Sequence, residues 1–246
     1  MNPDIEALFR AQVRLKNWLL GLLVFAILLS VVSMISGALE HQLLVSIRDG
    51  TFSLQDNITA RAEASDTRQA VIGGVQFAST LLIFIVWLVW TFKSSKYANA
   101  LGASETGFTP GWSVGWYFIP FANLVQPYRA LVRIIKATRS PVDWKKGAGG
   151  MLPLAWWLSF WIDRIADRVS FWTAMQAEEV QELILSGQVS FVSDCLSIVS
   201  YALMALLVLR MFGDQRQSAN VAHTSSLHSK PSSQTGLRVG KAPVGN

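Results

Sequence analysis

Residues 107–139 of the chain read GFTPGWSVGWYFIPFANLVQPYRALVRIIKATR. This central stretch is too apolar for an ordinary loop, contains Pro120 and Pro127, and becomes strongly basic in its second half. Proline removes a backbone hydrogen-bond donor, which is costly in lipid unless neighbouring protein satisfies the freed carbonyl group. We therefore expect a short apolar helix over residues 112–119 that is covered by protein, a break at Pro120, and then a second helix.

The second helix of the central stretch is expected to be amphipathic, with Asn123 as its N-cap and Pro127 in its first turn. Its basic face holds Arg129, Arg133 and Lys136. Its apolar face is formed by Leu124, Leu131, Ile134 and Ile135. Such a helix lies in the membrane interface with Lys and Arg toward lipid phosphates; a structural helix with solvated charges is the alternative. The candidate residues for interaction with lipid or a partner are Trp112, Trp116, Asn123, Tyr128, Arg129, Arg133 and Lys136.

The composition is typical of a membrane protein. Apolar residues make up 51% of the 246 residues and charged residues only 15%, whereas a soluble domain has about 25% charged residues. The charges are segregated, which leaves four apolar segments of roughly the 20 residues that cross a bilayer. These segments are residues 18–39, 71–92, 151–172 and 189–212. The polar region between the first two, residues 40–70, has a turn signal at Asp49 and Gly50. We therefore predict an all-α polytopic membrane protein with four transmembrane helices and, between helices two and three, a re-entrant or interfacial amphipathic helical element over residues 107–139.

The regions on either side of the membrane domain (residues 17–212) are interpreted from their own composition. Residues 1–16 predict a cytoplasmic amphipathic lead-in helix, with Asn2 as its N-cap and Pro3 at its first helical position. A signal peptide is the alternative, but the leader is long and carries acidic residues, and its apolar run exceeds the usual ~7–15 residues. Residues 213–246 contain few large apolar side chains and are predicted to form a disordered cytoplasmic tail.

The distribution of basic residues predicts the orientation. The flank and loop segments before span one, between spans two and three, and after span four, counted with Arg210 at the end of span four, hold 16 of the 21 Lys and Arg residues. Segments rich in Lys and Arg stay in the cytoplasm under the positive-inside rule. We therefore expect a multi-pass protein of the cell membrane with cytoplasmic N- and C-termini and with the central stretch at the inner face.

The third apolar segment is unusual because it contains charges, and a further acid lies near the start of the fourth. These candidate intramembrane residues are Asp163, Arg164, Asp167, Arg168 and Asp194. Charges at such depth usually face the bundle and pair, so one interpretation is a polar cavity or ion path in which Asp194 pairs with Arg164 or Arg168. The other interpretation, which we favour, is a short third span that ends near Ile162, with the charges in the outer headgroup layer.

The central stretch and its flanks carry a family resemblance. The runs concerned are FIVWLVWTFKSSKYANALGA, TPGWSVGWYFIPFANLVQPYRALVRIIKAT and LAWWLSFW. The matching positions are Trp87, Asn99, Leu101, Gly102, Pro110, Gly111, Trp112, Gly115, Trp116, Pro120, Asn123, Leu124, Pro127 and Tyr128. On these residues the chain resembles the bacterial membrane-protein family called domain of unknown function 4328. The resemblance implies membrane residence and a multi-span bundle, and it supplies no catalytic residues.

The sequence contains no recognisable catalytic motif. Its single cysteine is Cys195, and its histidines lie outside the apolar segments, at His41, His223 and His228. This excludes a cysteine-based metal cluster and a haem held by two histidines within the bilayer. Glu178 and Glu179 resemble the paired glutamates of membrane-embedded prenyl-protein proteases, but Leu183 stands where that motif has arginine, and a solvated acidic helix face is the better interpretation. We expect no cofactor, no metal and no enzymatic activity.

The charge and its placement indicate the kind of partner. A net charge of +5 could attract nucleic acid, but its position beside apolar segments favours anionic lipid headgroups. We therefore expect a lipid- or protein-interaction module with a regulatory role that uses the basic aromatic surface of the central stretch, with no nucleic-acid partner. A protein partner or a homo-oligomer is compatible with this function. The alternative is a small oligomeric transporter or channel that uses the charges of spans three and four.

Overall fold

The computed structural model describes residues 3–51, 57–103 and 109–228, and all regular structure within them is helical. The α-helices are α1 (Pro3–Arg48), α2 (Ile58–Ala100), α3 (Trp112–Gly115), α4 (Gln126–Arg139), α5 (Leu152–Gln176) and α6 (Val180–His228). Short 3-10 turns occur at Trp116–Phe118, Ala122–Leu124 and Trp144–Lys146. The predicted all-α class is therefore confirmed for this part of the chain.

Three of the helices, α1, α2 and α6, contain segments long and apolar enough to cross a membrane. Helix α5 has 25 residues, which at ~1.5 Å per residue is also long enough for a hydrocarbon core of ~30 Å. However, α5 carries the charged residues of the third apolar segment. Three helices therefore have both the length and the composition of membrane spans, and α5 has the length alone.

The first two helices run well beyond the predicted spans. Much of the polar region predicted between spans one and two belongs to α1 or α2. The predicted turn at Asp49 and Gly50 is confirmed, since it follows α1 directly and Gly50 has a φ of +63°. The side chain of Asn57 accepts a hydrogen bond from the Ala60 backbone N–H (3.1 Å) and thereby caps α2.

The C-terminal region also differs from the prediction. A disordered tail from residue 213 is wrong for its first part, because α6 continues to His228. Residues 213–228 contain no proline, and extending an existing helix is far less costly than starting a new one. Residues 229–246 and the predicted N-cap Asn2 lie outside the described residues.

The long helices pack in the order α2, α1, α6, α5. Helix α1 packs along α2 and α6, α5 packs along α6, and α4 lies at one end against α2, α5 and α6. The core at that end is aromatic: the Trp87 ring centroid lies 5.5 Å from that of Trp90 and 4.8 Å from that of Trp156. Leu131 and Ile135 of α4 belong to the same buried cluster. Helix α4 therefore fills the space between α2 and α5.

A buried polar cluster joins three helices near the same end. The side-chain amides of Gln12 on α1 and Gln215 on α6 each donate to Ser94 Oγ on α2, both at 3.1 Å. The Tyr97 hydroxyl donates to the backbone carbonyl of Gln215 at 3.0 Å. All four residues are fully or almost fully buried, so these bonds replace hydrogen bonds to water that the groups lose on folding.

We expect Ser94→Ala to destabilise the protein by about 1–3 kcal/mol, because two buried amides would lose their shared partner. Ser95→Ala is the matched control, since Ser95 is also buried on α2 but makes no side-chain hydrogen bond in the described part of the chain. Thermal unfolding in detergent, followed by circular dichroism, measures the difference. Equal melting temperatures for the two variants would contradict a stabilising role for the cluster.

Candidate functional site

The central element, which we define as residues 109–139, turns back on itself at Pro120. Its first half is helical through Phe118, and Ile119 is extended (φ −98°, ψ 117°). Phe121 then has a φ of +63°, a left-handed conformation that costs a non-glycine residue about 1–2 kcal/mol. The break at Pro120 therefore occurs where the sequence predicts it, and the chain reverses over the next few residues.

The predicted N-cap of the second helix is wrong. Asn123 lies within a 3-10 turn, where its backbone N–H donates to the carbonyl of Ile119 at 3.0 Å. Val125 occupies the N-cap position without a side-chain hydrogen bond, and α4 begins one residue later, with Pro127 in its first turn as predicted. The turn after Pro120 includes Asn123 and Leu124, which would be the N-cap and the first helical residue of a helix capped by Asn123. Helix α4 therefore starts later, at Gln126.

Two tryptophans hold the broken backbone against the bundle. The Trp87 indole N–H donates to the Tyr117 hydroxyl at 2.9 Å, and the Trp157 indole N–H donates to the Leu124 carbonyl at 2.9 Å. Burial raises the pKa of Tyr117, an effect that the hydrogen bond from Trp87 opposes, so this hydroxyl stays protonated. The bond from Trp157 therefore satisfies a backbone carbonyl of the interrupted helix, which lipid could not do, and the bond from Trp87 anchors the Tyr117 side chain.

The apolar face of α4 is covered by protein. Leu131, Ile134 and Ile135 are buried in the aromatic core, whereas Leu124 precedes the helix and is 46% exposed, which corrects its assignment to this face. An interfacial helix would bury its apolar face in the headgroup and acyl boundary, and here α2, α5 and α6 occupy that position. Any contact with lipid must therefore come from the other face or from the preceding turn.

The exposed part of the central element combines basic and aromatic side chains. Arg129 is exposed, and Arg133 and Lys136 are half-buried. Phe118 and Phe121, at the turn, are 66% and 86% exposed. The expectation that residues 112–119 are covered by protein is therefore wrong at Phe118, and Phe121 was not among the residues singled out from the sequence.

The other candidate residues of the central element differ in exposure. Trp112 is 49% exposed and packs against Trp116, with 4.8 Å between the ring centroids and a tilt of 35° between the ring planes. Tyr128 packs against the aromatic core, and Asn123 is half-buried. The structure therefore groups Trp112 and Trp116 with each other and gives Tyr128 a packing role.

A long-range ion pair fixes the end of α4. Arg139 Nε lies 2.7 Å from Asp214 Oδ2 on α6, and Arg139 Nη1 donates to the Ala148 carbonyl at 3.2 Å. Both side chains of the pair are largely shielded from solvent, so the attraction is less screened than in a surface pair. The sequence offers no local signal for this contact, because its partners are 75 positions apart.

The second candidate region is a ladder of hydrogen bonds between α5 and α6. Ser197 Oγ donates to Asp163 Oδ1 and Ser193 Oγ donates to Asp167 Oδ1, both at 2.6 Å. Ser170 and Ser190 share a third hydrogen bond at 2.7 Å. From one pair to the next, the residue number rises by four and then three on α5 and falls by four and then three on α6. The opposite directions show that the two helices are antiparallel, and steps of three or four keep each set of side chains on one helical face. We call these three pairs the serine–aspartate ladder.

The ladder shows how the charges of α5 are accommodated in the bundle. Helix α5 does not end near Ile162, since it continues to Gln176, and Asp163 is only 1% exposed. Arg164 Nη2 lies 2.7 Å from Asp163 Oδ2 and 2.8 Å from Asp167 Oδ2. A buried carboxylate is tolerable when it is paired and hydrogen-bonded, and here serine and arginine partners meet both conditions. The two aspartates therefore face α6 and are paired within the bundle, which is the arrangement that the first interpretation requires of them.

The expected pairing of Asp194 with an arginine does not form among the described residues. Asp194 Oδ1 accepts a hydrogen bond from Gln76 Nε2 of α2 at 3.2 Å. Arg164 is engaged by the aspartates of its own helix, and Arg168 is exposed. Of the five predicted charged residues, Asp163, Arg164 and Asp167 form one cluster. Within the described ranges no three His, Cys, Asp or Glu side chains come together as a metal site would require.

We expect Ser197→Ala to lower the stability of the protein by about 1–3 kcal/mol, because the buried Asp163 would lose a hydrogen-bond donor. Ser200→Ala is the control, since Ser200 is buried on the same helix and has no side-chain hydrogen bond in the described ranges. Thermal unfolding in detergent distinguishes the variants. The ladder would lose its stabilising role if Ser197→Ala melted at the wild-type temperature.

Comparison with known proteins gives one match. The model of the family described as Domain of unknown function (DUF4328) matches residues 55–213, which is more than half of the chain. The match includes the central element, the ladder and most of α2 and α6. No curated protein and no solved structure matches the chain significantly. The protein therefore belongs to the DUF4328 family.

Proposed function

We propose that this protein is a four-span protein of the cell membrane whose central element binds anionic lipid headgroups at the cytoplasmic face. The observation that carries this proposal is the exposure of Phe118 and Phe121 on the same element as the basic residues Arg129, Arg133 and Lys136. Phenylalanine side chains on an interfacial element are buried at the boundary between headgroups and acyl chains. Each basic residue near an anionic surface adds about 1 kcal/mol of attraction.

The contacts within the bundle support this role. The indole hydrogen bonds of Trp87 and Trp157 and the Arg139–Asp214 ion pair hold the central element against the helices. Its exposed side chains are therefore presented on a rigid support, which lowers the entropy lost on binding. The role that follows is regulatory or organisational, since the lipid is bound and undergoes no reaction.

The packing of α5 supports its assignment as the fourth membrane-spanning helix. Helix α5 runs antiparallel to α6 along the serine–aspartate ladder, so a crossing by α6 would carry α5 through the same layer. The paired state of Asp163 and Asp167 removes the main objection to placing α5 in lipid. Four crossings then agree with the distribution of Lys and Arg, which puts both termini and the central element inside.

We expect single cysteines at Thr109 and Ser140 to be labelled from the cytoplasmic side only, and a cysteine at Thr51 from the opposite side only. All three positions are exposed in the structure. The measurement is labelling of inverted and right-side-out vesicles with a membrane-impermeant maleimide, in a background where Cys195 is replaced by alanine. Labelling of Thr109 and Ser140 from opposite sides would show that the central element crosses the membrane, which contradicts the proposed topology.

We expect the triple substitution Arg129→Gln, Arg133→Gln and Lys136→Gln to reduce retention of anionic lipid at least about tenfold, since it removes roughly 3 kcal/mol of attraction. Arg48→Gln is the control, because Arg48 is an exposed basic residue at the C-terminal end of α1, outside the central element. Native mass spectrometry of the protein, purified with phosphatidylglycerol and phosphatidylcholine, measures retention. Unchanged selectivity in the triple variant would overturn lipid binding and favour a protein partner for this surface.

A second candidate function is a small oligomeric transporter or channel. It is supported by the buried cluster of Asp163, Arg164 and Asp167, because charged groups inside a bundle often mark ion or proton paths. Four helices alone leave little room for a pathway, so this function requires self-association. Flux into proteoliposomes that is lost with Asp163→Asn and retained with the basic triple variant would favour it over lipid binding.

A further inference from the structure

The two limbs of the central element begin and end at the same level of the bundle. Ser113, near the start of the first limb, and Ala130, on α4, line a common gap with Ser95 and Ala98 of α2. Between these two points the chain forms a hairpin, whose closed end we define as residues 118–125. The position of the closed end along α2 shows how far the hairpin extends from that level.

Ring contacts place the closed end well down α2. The ring centroid of Phe84 lies 6.0 Å from that of Tyr117 and 6.3 Å from that of Phe118. Phe84 precedes Ser95 by 11 residues on the same helix, which is a rise of about 16 Å. The hairpin therefore runs from the level of Ser95 to the level of Phe84 and back.

The level of Phe84 lies inside the apolar part of α2. Residues 69–92 contain no charged side chain and are bounded by Arg68 and Lys93. Their length of about 36 Å is enough to cross a hydrocarbon core of ~30 Å. Phe84 lies about 13 Å along the helix from Lys93, which is on the side where α4 packs against α2. The closed end therefore falls within the half of the apolar segment that adjoins that side.

The hairpin has the composition that this depth requires. No Lys, Arg, Asp or Glu occurs in residues 109–128. Charge returns at Arg129, next to Ala130, at the end of α2 that carries Lys93 and Lys96. Because charged side chains are costly in hydrocarbon, their return at one level in both elements is expected at the boundary with the headgroups.

The closed end lies beside an exposed apolar surface of α2. Leu81 and Ile85, close to Phe84 on that helix, are 50% and 49% exposed. They belong to the apolar segment of α2, so acyl chains cover them when this helix crosses a bilayer. Phe118 and Phe121 are more exposed still and lie at the same level, where the same acyl chains would meet them.

The backbone of the closed end can occupy hydrocarbon because its groups are hydrogen-bonded. The N–H groups of residues 122–125 each donate to a carbonyl of residues 119–122, at 2.7–3.3 Å. The Leu124 carbonyl accepts the hydrogen bond from Trp157 on α5. Backbone groups left without partners are what excludes irregular chain from lipid, and these bonds supply the partners.

We propose that the closed end of the central element enters the hydrocarbon core of the inner leaflet, where acyl chains cover Phe118, Phe121, Leu124 and Val125. This depth goes beyond the boundary position in the proposed function, on which it depends only for the cytoplasmic side. Because the hairpin enters and returns on one side, it displaces lipid from the inner leaflet alone.

The test is site-directed spin labelling of the full-length protein in phosphatidylcholine liposomes, with Cys195→Ala as the background. A nitroxide at Phe121→Cys is compared with one at Ile85→Cys, the matched control on the lipid-facing side of α2, and one at Ser140→Cys, just beyond α4. Electron paramagnetic resonance measures collisions with oxygen, which enters hydrocarbon, and with a water-soluble nickel complex. We expect the Phe121 label to match the Ile85 label, with an oxygen-to-nickel collision ratio at least about tenfold above that of Ser140, since hydrocarbon excludes the polar complex.

Two outcomes would overturn the proposal. A Phe121 label that the nickel complex reaches as readily as it reaches Ser140 would place the closed end in water or among headgroups. A label closed to both reagents would show that protein, such as a second copy of the chain, covers it. Phosphatidylcholine has no net charge, so these results are independent of headgroup selectivity, and a failure of headgroup binding would leave the collision ratio unchanged.

A charged substitution gives an independent readout. Phe121→Asp places a carboxylate at the closed end, where hydrocarbon would penalise it, although aspartate adopts a positive φ more readily than phenylalanine. We expect a lowered melting temperature in phosphatidylcholine nanodiscs for Phe121→Asp and no change for Val142→Asp, at a 94% exposed position outside the hairpin. Equal melting temperatures for these two variants would contradict insertion of the closed end.

Discussion

The structure depends on the requirement that an interrupted backbone be hydrogen-bonded by protein. The central element reverses at Pro120 and contains no regular helix between Phe118 and the start of α4. Its polar groups reach the bundle through Trp87 and Trp157, whose indole N–H groups donate to the Tyr117 hydroxyl and the Leu124 carbonyl. These two bonds connect the central element to α2 and α5, whose Trp87 and Trp156 rings also meet in the aromatic core. The aromatic core at this end therefore fills the space between the helices and also supplies hydrogen-bond donors to the central element.

The same requirement explains how α5 carries charge. Burying Asp163 without a partner would destabilise the protein, because the free-energy cost of desolvating a carboxylate is larger than the gain from most single contacts. Ser197 and Arg164 both contact it, and Asp167 has Ser193 and the same arginine. Since the serines belong to α6, satisfying these carboxylates also fixes the register of α5 against α6. The same hydrogen bonds therefore satisfy the buried charges and fix the packing of the two helices.

Sequence alone predicted the features that depend on neighbouring residues. The break at Pro120, the turn at Gly50 and the position of Pro127 in α4 follow from local backbone chemistry. The features it missed or misplaced depend on contacts between distant parts of the chain. Nothing local in the sequence indicates that Arg139 pairs with Asp214 or that Ser94 binds two glutamines.

The errors at the candidate sites have the same origin. The apolar face of α4 has the pattern of a helix that rests on lipid, and only the placement of α2, α5 and α6 shows that protein covers it. The charges of α5 have the pattern of a span that ends early, and only the serines of α6 show that they face the bundle. In both cases periodicity identified the face correctly, but it could not identify what that face contacts.

The two ends of the bundle differ in charge, and this difference follows from the way the helices pack. The N-terminal part of α1 lies beside the C-terminal part of α6, as the 5.7 Å stacking of Phe9 on Phe212 shows. This antiparallel arrangement gathers the basic residues that flank the spans at the end where α4 lies. At the other end, a cleft between α1 and α6 is lined by Glu40 and Asp194, with no Lys or Arg among its described walls. Antiparallel packing of the helices therefore places the basic surface of the central element and this cleft at opposite ends of the bundle.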